Sequence, residues 1–258
     1  MKLVTRLIAL ILGSIISIFS FNQCSRSKPV EEGRLVKLND SLTLVATLIS
    51  KDNFNKDLTG WIAEEEIEGG VKLVDEKMDI DAAGGSTTWW KGKLHAPLMI
   101  EYDAVVVQNS GPNDRVSDLN CFWLALDPDK PDDFFNSYSQ RRGIFKNYDD
   151  LSLYYVGLGG HNNTKTRFRR YDGEGNKPLM PEHDLSSEEF LIKPNQLNRI
   201  KIIVYNGIVQ YYRNDQLIYN FYDQEAYDTG YFGIRTVHNH LTVDNFTVYS
   251  LKNTTLPE

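Results

Sequence analysis

The stretch RIKIIVYNGIVQYYRNDQLIYNF, residues 199 to 221, does more than any other to limit what this chain can fold into. Asn206-Gly207 stands between two β-rich runs and suits a two-residue turn in which both residues take positive φ, while Arg213-Asn214-Asp215 supplies a second reversal. A three-strand antiparallel meander is the expected product. The same alternation of apolar runs and turn residues recurs in LTLVATLIS, VKLVDEKMDI, LMIEYDAVVV, LNCFWLAL, LSLYYVG, TKTRFRRY, GYFGIRTV and HLTVDNFTVYSL. Aromatic residues make up 12% of the chain, which favours strands because bulky rings suit a pleated surface. Helical periodicity is weak, the best candidates being DLSSEEF near residues 184 to 190 and DFFNSYSQRRG near 133 to 143, and no internal repeat is visible.

Many antiparallel strands without intervening helices require two layers, since each sheet must bury one face. The expected fold is therefore all-β: a single-domain jelly-roll β-sandwich of two antiparallel sheets. Irregular insertions at 108 to 117 and 127 to 150 suit loops around a sandwich groove better than the short turns of an up-and-down barrel. With 258 residues, one core is the economical reading.

Lys2 and Arg6 precede the apolar run LIALILGSIISIFSF, residues 7 to 21, which has the length and flanks of a secretory signal. The expected organisation is a signal peptide over 1–23, a polar tether over 24–41, the sandwich over 42–252 and a tail over 253–258. Cys24 is a candidate lipidated cysteine, although Gln23 replaces the usual small residue; an uncleaved anchor or an ordinary signal cut nearby are the alternatives. Export to the periplasm or outer membrane surface follows, with membrane contact only through that anchor. Cys121, inside LNCFWLAL, has no evident disulfide partner and is expected to be a small buried hydrophobe. A net charge of −7 argues against nucleic acid as a partner.

ISKDNFNKDLTGWIAE resembles the opening of concanavalin-like jelly rolls, and HLTVDNFTVYSL resembles their closing strand, which implies that the two ends pair as neighbours. The middle, GPNDRVSDLNCFWLALDP followed by YYVGLGGHNNTKTRFRRY, is similar to a family of secreted Bacteroidota proteins of unassigned activity found among polysaccharide-utilisation genes, and distantly to YesU-like proteins. That resemblance covers roughly residues 50 to 250 and implies a glycan context rather than a particular reaction. A structural calcium near Asp52 and Asp244 would fit it.

The segment LYYVGLGGHNNTKTRFRRYDG concentrates the polar chemistry. In an extended strand Arg167 and Arg169 share one face, and paired guanidiniums match a carboxylate or sulfate, so an acidic sugar is the expected ligand. Arg115, Lys165, Arg141 and Arg142 are available to join them; neutralisation by Asp149, Asp150, Asp172 and Glu174 is the competing account. His161 lies in a glycine-rich turn with Asn162 and Asn163 and is the best candidate for proton transfer near neutral pH. By parity Tyr155 shares a face with Leu151 and Leu153, which leaves Tyr154 for the groove as a phenolic acid. Asp118 and Asn120 share a face opposite Leu119, Cys121 and Trp123, and with Arg115 they would position substrate. Trp89 and Trp90 project to opposite faces, so one packs in the core and the other, here Trp90, offers a platform to a pyranose. His238 and His240 lack a third metal ligand at useful spacing, and Glu101 with Asp103 meets the strand spacing that glycoside hydrolysis needs.

The expected activity is β-elimination on an acidic or oxidised oligo- or polysaccharide, with His161 and Tyr154 as base and acid, Arg167, Arg169 and Asn120 stabilising an enolate-like intermediate, and Asn163 and Lys165 among the binding groups. No cofactor is required by that chemistry. The alternatives are a noncatalytic carbohydrate-binding module and a structural sandwich.

Overall fold

The computed structural model describes residues 33–136 and 138–254, so the expected signal peptide and Cys24 lie outside the described residues. The strands are β1 (Arg34–Lys37), β2 (Thr43–Asp52), β3 (Trp61–Glu65), β4 (Val71–Val74), β5 (Lys77–Trp90), β6 (Leu94–His95), β7 (Leu98–Val106) and β8 (Leu119–Leu126). There follow β9 (Ser152–Gly159), β10 (Lys165–Asp172), β11 (Asp184–Leu185), β12 (Leu197–Tyr205), β13 (Ile208–Arg213), β14 (Gln216–Tyr222) and β15 (Thr229–Asn253).

The expected meander is β12, β13 and β14, paired antiparallel in sequence order. Both of its reversals use positive φ, at Asn206 (46°) and Gly207 (83°) and at Asn214 (51°) and Asp215 (64°), as two-residue hairpins require. The main path of hydrogen-bonded strands runs β11-β10-β9-β8-β15-β7-β12-β13-β14. β15 is the hinge of this architecture. Its first part pairs with β8 and β5, its second with β7 and β2, and the register shifts between Val237 and Asn239, where His238 has φ 44°. Such a bulge sharpens the local twist, and the long strand thereby serves both layers of the sandwich.

The main core lies between those layers. Trp123, Tyr154, Val156 and Phe168 from one side pack against Ile202, Val204, Val209, Tyr211 and Tyr219 from the other. Ring pairs cross the interface, Trp123 with Tyr211 at 6.4 Å and Phe168 with Tyr219 at 5.7 Å. Burial of each such side chain contributes about 1.5–3 kcal/mol. Cys121 sits in this core as a free thiol that burial pushes up to about 12, in keeping with a packing role.

A second apolar cluster covers the outer face of the β5–β15–β8–β9–β10 layer. Trp89, Phe122, Leu153, Tyr155 and Tyr171 point away from the main core and are roofed by Phe134 and Tyr148 of the 127–150 insertion. That insertion is fastened by Arg141, whose guanidinium meets Glu64 with Nη2–Oε1 2.5 Å and Nε–Oε1 3.0 Å, while Tyr148 donates to Glu64 Oε2 at 2.7 Å. Arg141 is thus a buried clamp and not a member of an exposed arginine set.

Chain ends pair as the jelly-roll resemblance implies: Phe246 to Asn253 of β15 run against Leu44 to Asp52 of β2. Two boundaries differ from expectation. Arg34–Lys37 of the assigned tether forms β1 against β2, with Val36 buried beside Leu44. Asn253, assigned to the tail, is the last residue of β15. The two helical candidates reduce to a turn at Tyr138–Arg141 and to β11 followed by a 3-10 turn at Glu188–Phe190, because neither stretch has an apolar stripe to bury.

Candidate functional site

Alternation along the strands builds a polar row across the outer face, beside the aromatic cluster. In register, Asp184 lies opposite Arg167, Arg167 opposite Gly157, Gly157 opposite Asn120, Asn120 opposite Arg235, Arg235 opposite Thr87, and Thr87 opposite Glu64. The next row of the same face carries Arg169, Tyr155, Phe122, Gly233 and Trp89. At Gly157 the missing side chain matters: a Cβ there would stand 2.4 Å from the Tyr155 hydroxyl, so the phenol folds over the glycine between Arg167 and Asn120.

His161 stands at the end of the row. His161, Asn162 and Asn163 all occupy the left-handed region, with φ of 54°, 56° and 57°, a conformation that costs roughly 1–2 kcal/mol per residue outside glycine. Two clamps hold it. Asn163 accepts from Ile192 N and donates to Ile192 O, both at 2.8 Å, and Arg115 Nη1 donates to Asn162 Oδ1 at 2.8 Å. The turn thereby presents an exposed imidazole whose Nε2 lies 2.5 Å from Arg167 Nη1. Arg167 also donates through Nε to Asp184 Oδ1 at 2.9 Å, and that hydrogen bond, with Lys165 nearby, holds the Asp184 carboxyl below the usual carboxylate range.

The structure gathers His161, Arg167, Lys165, Arg115, Asp118 and Asn120 at one end of the outer face, but it reassigns several of them. Arg115 is spent on Asp118 (2.5 Å), Asn162 and the carbonyls of Val237 and His238, so it braces the β15 bulge. Asn163 is a clamp on the Ile192 backbone. Asp118 accepts from Arg115, from Ser117 Oγ at 2.6 Å and from Asn120 Nδ2 at 3.3 Å. Arg169 donates to the Lys177 carbonyl and has no carboxylate partner among the described residues.

Two candidates are on the wrong side. Tyr154 is fully buried in the main core, where its hydroxyl donates to Asp223 Oδ2 at 2.6 Å, and burial followed by that bond raises its pKa far above the ordinary phenol. It cannot act with His161 as an acid–base pair, and the elimination mechanism loses its acid. The parity of β9 is as expected; the faces are exchanged, because Leu151 and Leu153 lie under the insertion and not between the sheets. Trp90 packs edgewise on Trp61 (5.3 Å) and against Phe246 (5.3 Å) at the rim of the main core, so it offers no platform to this site. The Glu101 and Asp103 pair is likewise committed, to Arg34 at 2.8 Å and to Asn245 Nδ2 at 3.0 Å.

Three contributors were not singled out from the sequence. Phe145, at the start of the Phe145–Tyr148 turn, is 37% exposed and lies 5.6 Å from Tyr155 and nearly parallel to Phe122. Arg235 is only 3% exposed; its Nη1 donates to Gly143 O (2.7 Å) and Thr87 Oγ1 (3.0 Å), and its guanidinium lies 4.8 Å from the Phe145 ring. Tyr155 is the groove-side tyrosine. Alternation in GYFGIRTV, with Phe232 and Ile234 inward, already puts a lone cation on the opposite face.

Among the described residues no group of three His, Cys, Asp or Glu side chains is arranged to hold a metal. Both oxygens of Asp52, suggested as a calcium ligand, accept protein donors: Phe54 N at 2.8 Å and Trp61 Nε1 at 2.9 Å.

No curated protein sequence matches the chain. Among solved structures it is similar to a Bacillus subtilis protein of unknown function with a galectin-like fold, at TM-score 0.60 and 15% identity over 79% of this chain and 96% of that one. It is also similar to the carbohydrate-binding module CBM66 from Bacillus subtilis (TM-score 0.50, 16% identity, 75% of this chain and 97% of that one). A third likeness is to an endo-β-1,3-glucanase from Pyrococcus furiosus (TM-score 0.54, 12% identity, 85% and 98%). At such identities these likenesses establish a concanavalin-like sandwich and nothing finer. The family described as Domain of unknown function (DUF6250) matches residues 80–246, from β5 through most of β15 and including the whole polar row except Glu64, and the chain belongs to that family.

Proposed function

We propose that this chain is a noncatalytic carbohydrate-binding domain whose ligand lies on the outer face, between the Phe145 ring and the Gly160–Asn163 turn. The observation that carries the reading is the exposed Phe145 ring set against Tyr155, on the same outer face as Asn120 and the His161–Arg167 pair, an apolar platform on a face that also carries hydrogen-bonding groups. Sugars are bound by that combination, the C–H face on a ring and the hydroxyls on fixed donors and acceptors. Likeness in fold to a carbohydrate-binding module and to a glucanase supports a glycan as ligand. The apolar leader and Cys24 extend the reading to an exported, lipid-anchored domain that meets its polymer outside the cell.

Binding is favoured over hydrolysis by the state of the carboxylates on this face. Glycoside hydrolysis needs one carboxylic acid and one carboxylate free to act on the same bond. Here Glu64 is locked to Arg141 and Tyr148, Asp118 to Arg115 and Ser117, and Asp184 to Arg167. The test is affinity electrophoresis of the whole protein through gels containing a panel of plant, algal and host polysaccharides, with parallel assays for new reducing ends and for absorbance near ~235 nm from unsaturated uronates, a wavelength set by the chromophore of an elimination product. Retardation without new ends or absorbance is expected; turnover, or migration unchanged by every polymer, overturns the reading.

A further inference from the structure

Arg235 is a buried cation without a buried anion. Its Nη1 is spent on a carbonyl and a hydroxyl, and no carboxylate lies within ion-pairing distance of it among the described residues. Asp118 acts on it electrostatically but already serves Arg115 and Ser117. Phe145 and Tyr148, with centroids 4.8 and 5.2 Å from the guanidinium, soften the cost of burial without cancelling the charge. An arginine stays protonated in any such setting, so the site carries a standing positive charge.

Four other cations of the region each have a carboxylate. Arg167 has Asp184, Arg115 has Asp118, Arg141 has Glu64 and Lys177 has Asp149. Arg169, on the same face, also lacks a carboxylate partner among the described residues, but it stands on β10, three strands from Arg235 on β15, and gives its Nη1 to the Lys177 carbonyl. Next to Arg235 in register, the Asn120 Oδ1 is buried and receives no hydrogen bond, while its residue is 3% exposed. A molecule of net charge −7 therefore holds an uncompensated guanidinium and an unused acceptor side by side on neighbouring strands.

We propose that Arg235 is a subsite for an oxyanion substituent, a carboxylate or a sulfate ester, on the bound saccharide, with Asn120 Oδ1 accepting a hydroxyl of the same sugar. The planar fork of a guanidinium matches either group, and a desolvated cation discriminates strongly in favour of an anion over a neutral isostere. The inference rests on the carbohydrate-binding reading and names the class of sugar that the site selects.

The experiment is calorimetric titration of the whole protein with matched oligosaccharides: oligogalacturonates and alginate oligouronates against their carboxyl-reduced forms, and carrageenan oligosaccharides against their desulfated forms. Within at least one matched pair the charged member is expected to bind tenfold or more tightly, and which pair shows the gap identifies carboxylate or sulfate. Arg235→Gln is expected to bring the two affinities of that pair together, and where that variant lacks the native near-ultraviolet dichroism, Arg235→Lys, which keeps the charge and loses the planar fork, is expected to narrow the gap. Equal affinities within every pair, or binding of neutral glycans alone, overturns the anion subsite and leaves the carbohydrate-binding reading standing. Absence of binding to any glycan overturns both.

Discussion

Tyr154 and Asp223 meet inside the main core, hydroxyl to Oδ2 at 2.6 Å, with Arg170 Nε reaching the same oxygen at 2.7 Å. Their contact places the tyrosine on the side of the sheet away from His161 and makes it structural. Tyr154→Phe should therefore lower stability by about 1.5–3 kcal/mol, the range for a hydrogen bond to a charged group, and leave glycan affinity unchanged. His161→Ala should do the reverse, weakening binding with little loss of stability, since the imidazole is exposed. Urea unfolding and affinity electrophoresis on both variants check the pair; a binding defect in Tyr154→Phe would return that residue to the site.

Phe145 is held between Tyr155 and the Arg235 guanidinium and keeps an exposed face. Truncation to Ala removes a stacking surface that contributes about 0.5–1.5 kcal/mol, so affinity should fall by several-fold to about tenfold. Phe145→Tyr should retain most of it. Titration with whichever polymer retards the wild type decides this, and full affinity in the Ala variant would place the ligand elsewhere.

What the sequence makes legible here is local. The meander follows from Asn206-Gly207 and Asn214-Asp215, because Asn, Asp and Gly take positive φ more readily than other residues. Parity along β9 is equally readable, since neighbours must alternate. Which face is the main core is not readable, because Leu151 and Leu153 on one side look as apolar as Val156 and Leu158 on the other, and the 127–150 insertion that covers the first pair carries no regular pattern. Site residues supplied by one hairpin, His161, Arg167 and Lys165, come together as spacing suggests. Arg235 and Phe145 join them from β15 and from the insertion, and only tertiary packing brings those segments to β9.

Glu64 and Arg141 are 77 residues apart in the chain, and both are buried. Breaking such a pair strands one charge in the interior, a cost of about 3–5 kcal/mol. Glu64→Gln should accordingly lower the urea midpoint far more than a change at the exposed pair Lys37 and Asp40. Because Arg141 also donates to the Phe134 carbonyl at 2.9 Å and lies 4.4 Å from the Phe134 ring, the same variant should loosen the insertion that carries Phe145. Enhanced proteolysis within residues 127 to 150 would register that loosening, and an unfolding free energy within about 1 kcal/mol of wild type would contradict the clamp.

His240 lies between two carboxylates, its Nε2 2.9 Å from Asp79 Oδ2 and its Nδ1 3.0 Å from Asp114 Oδ1. Burial pushes the imidazole down, but hydrogen bonds to Asp79 and Asp114, with Asp81 nearby, outweigh it and leave the group more basic than a free histidine. A group whose folded pKa is raised stabilises the fold fully below its unfolded pKa, about 6.5, and loses that contribution as pH climbs through the folded value. The urea midpoint should therefore decline as pH rises above about 6.5, and His240→Gln should flatten the decline. Asp114 works from the acid side: burial raises its carboxyl, but the amides of Asn109 and Gly111 together with His240 hold it below the ordinary value. Its contribution is present above the unfolded carboxylate range and is lost as pH falls through the lowered folded pKa. The loop so fastened carries Arg115, which braces Asn162 and the β15 bulge, so hydrogen exchange at Asn162 and His238 should quicken above neutral pH in the wild type. Exchange at those amides that ignores pH beyond its intrinsic base catalysis would show that the histidine does not hold the loop.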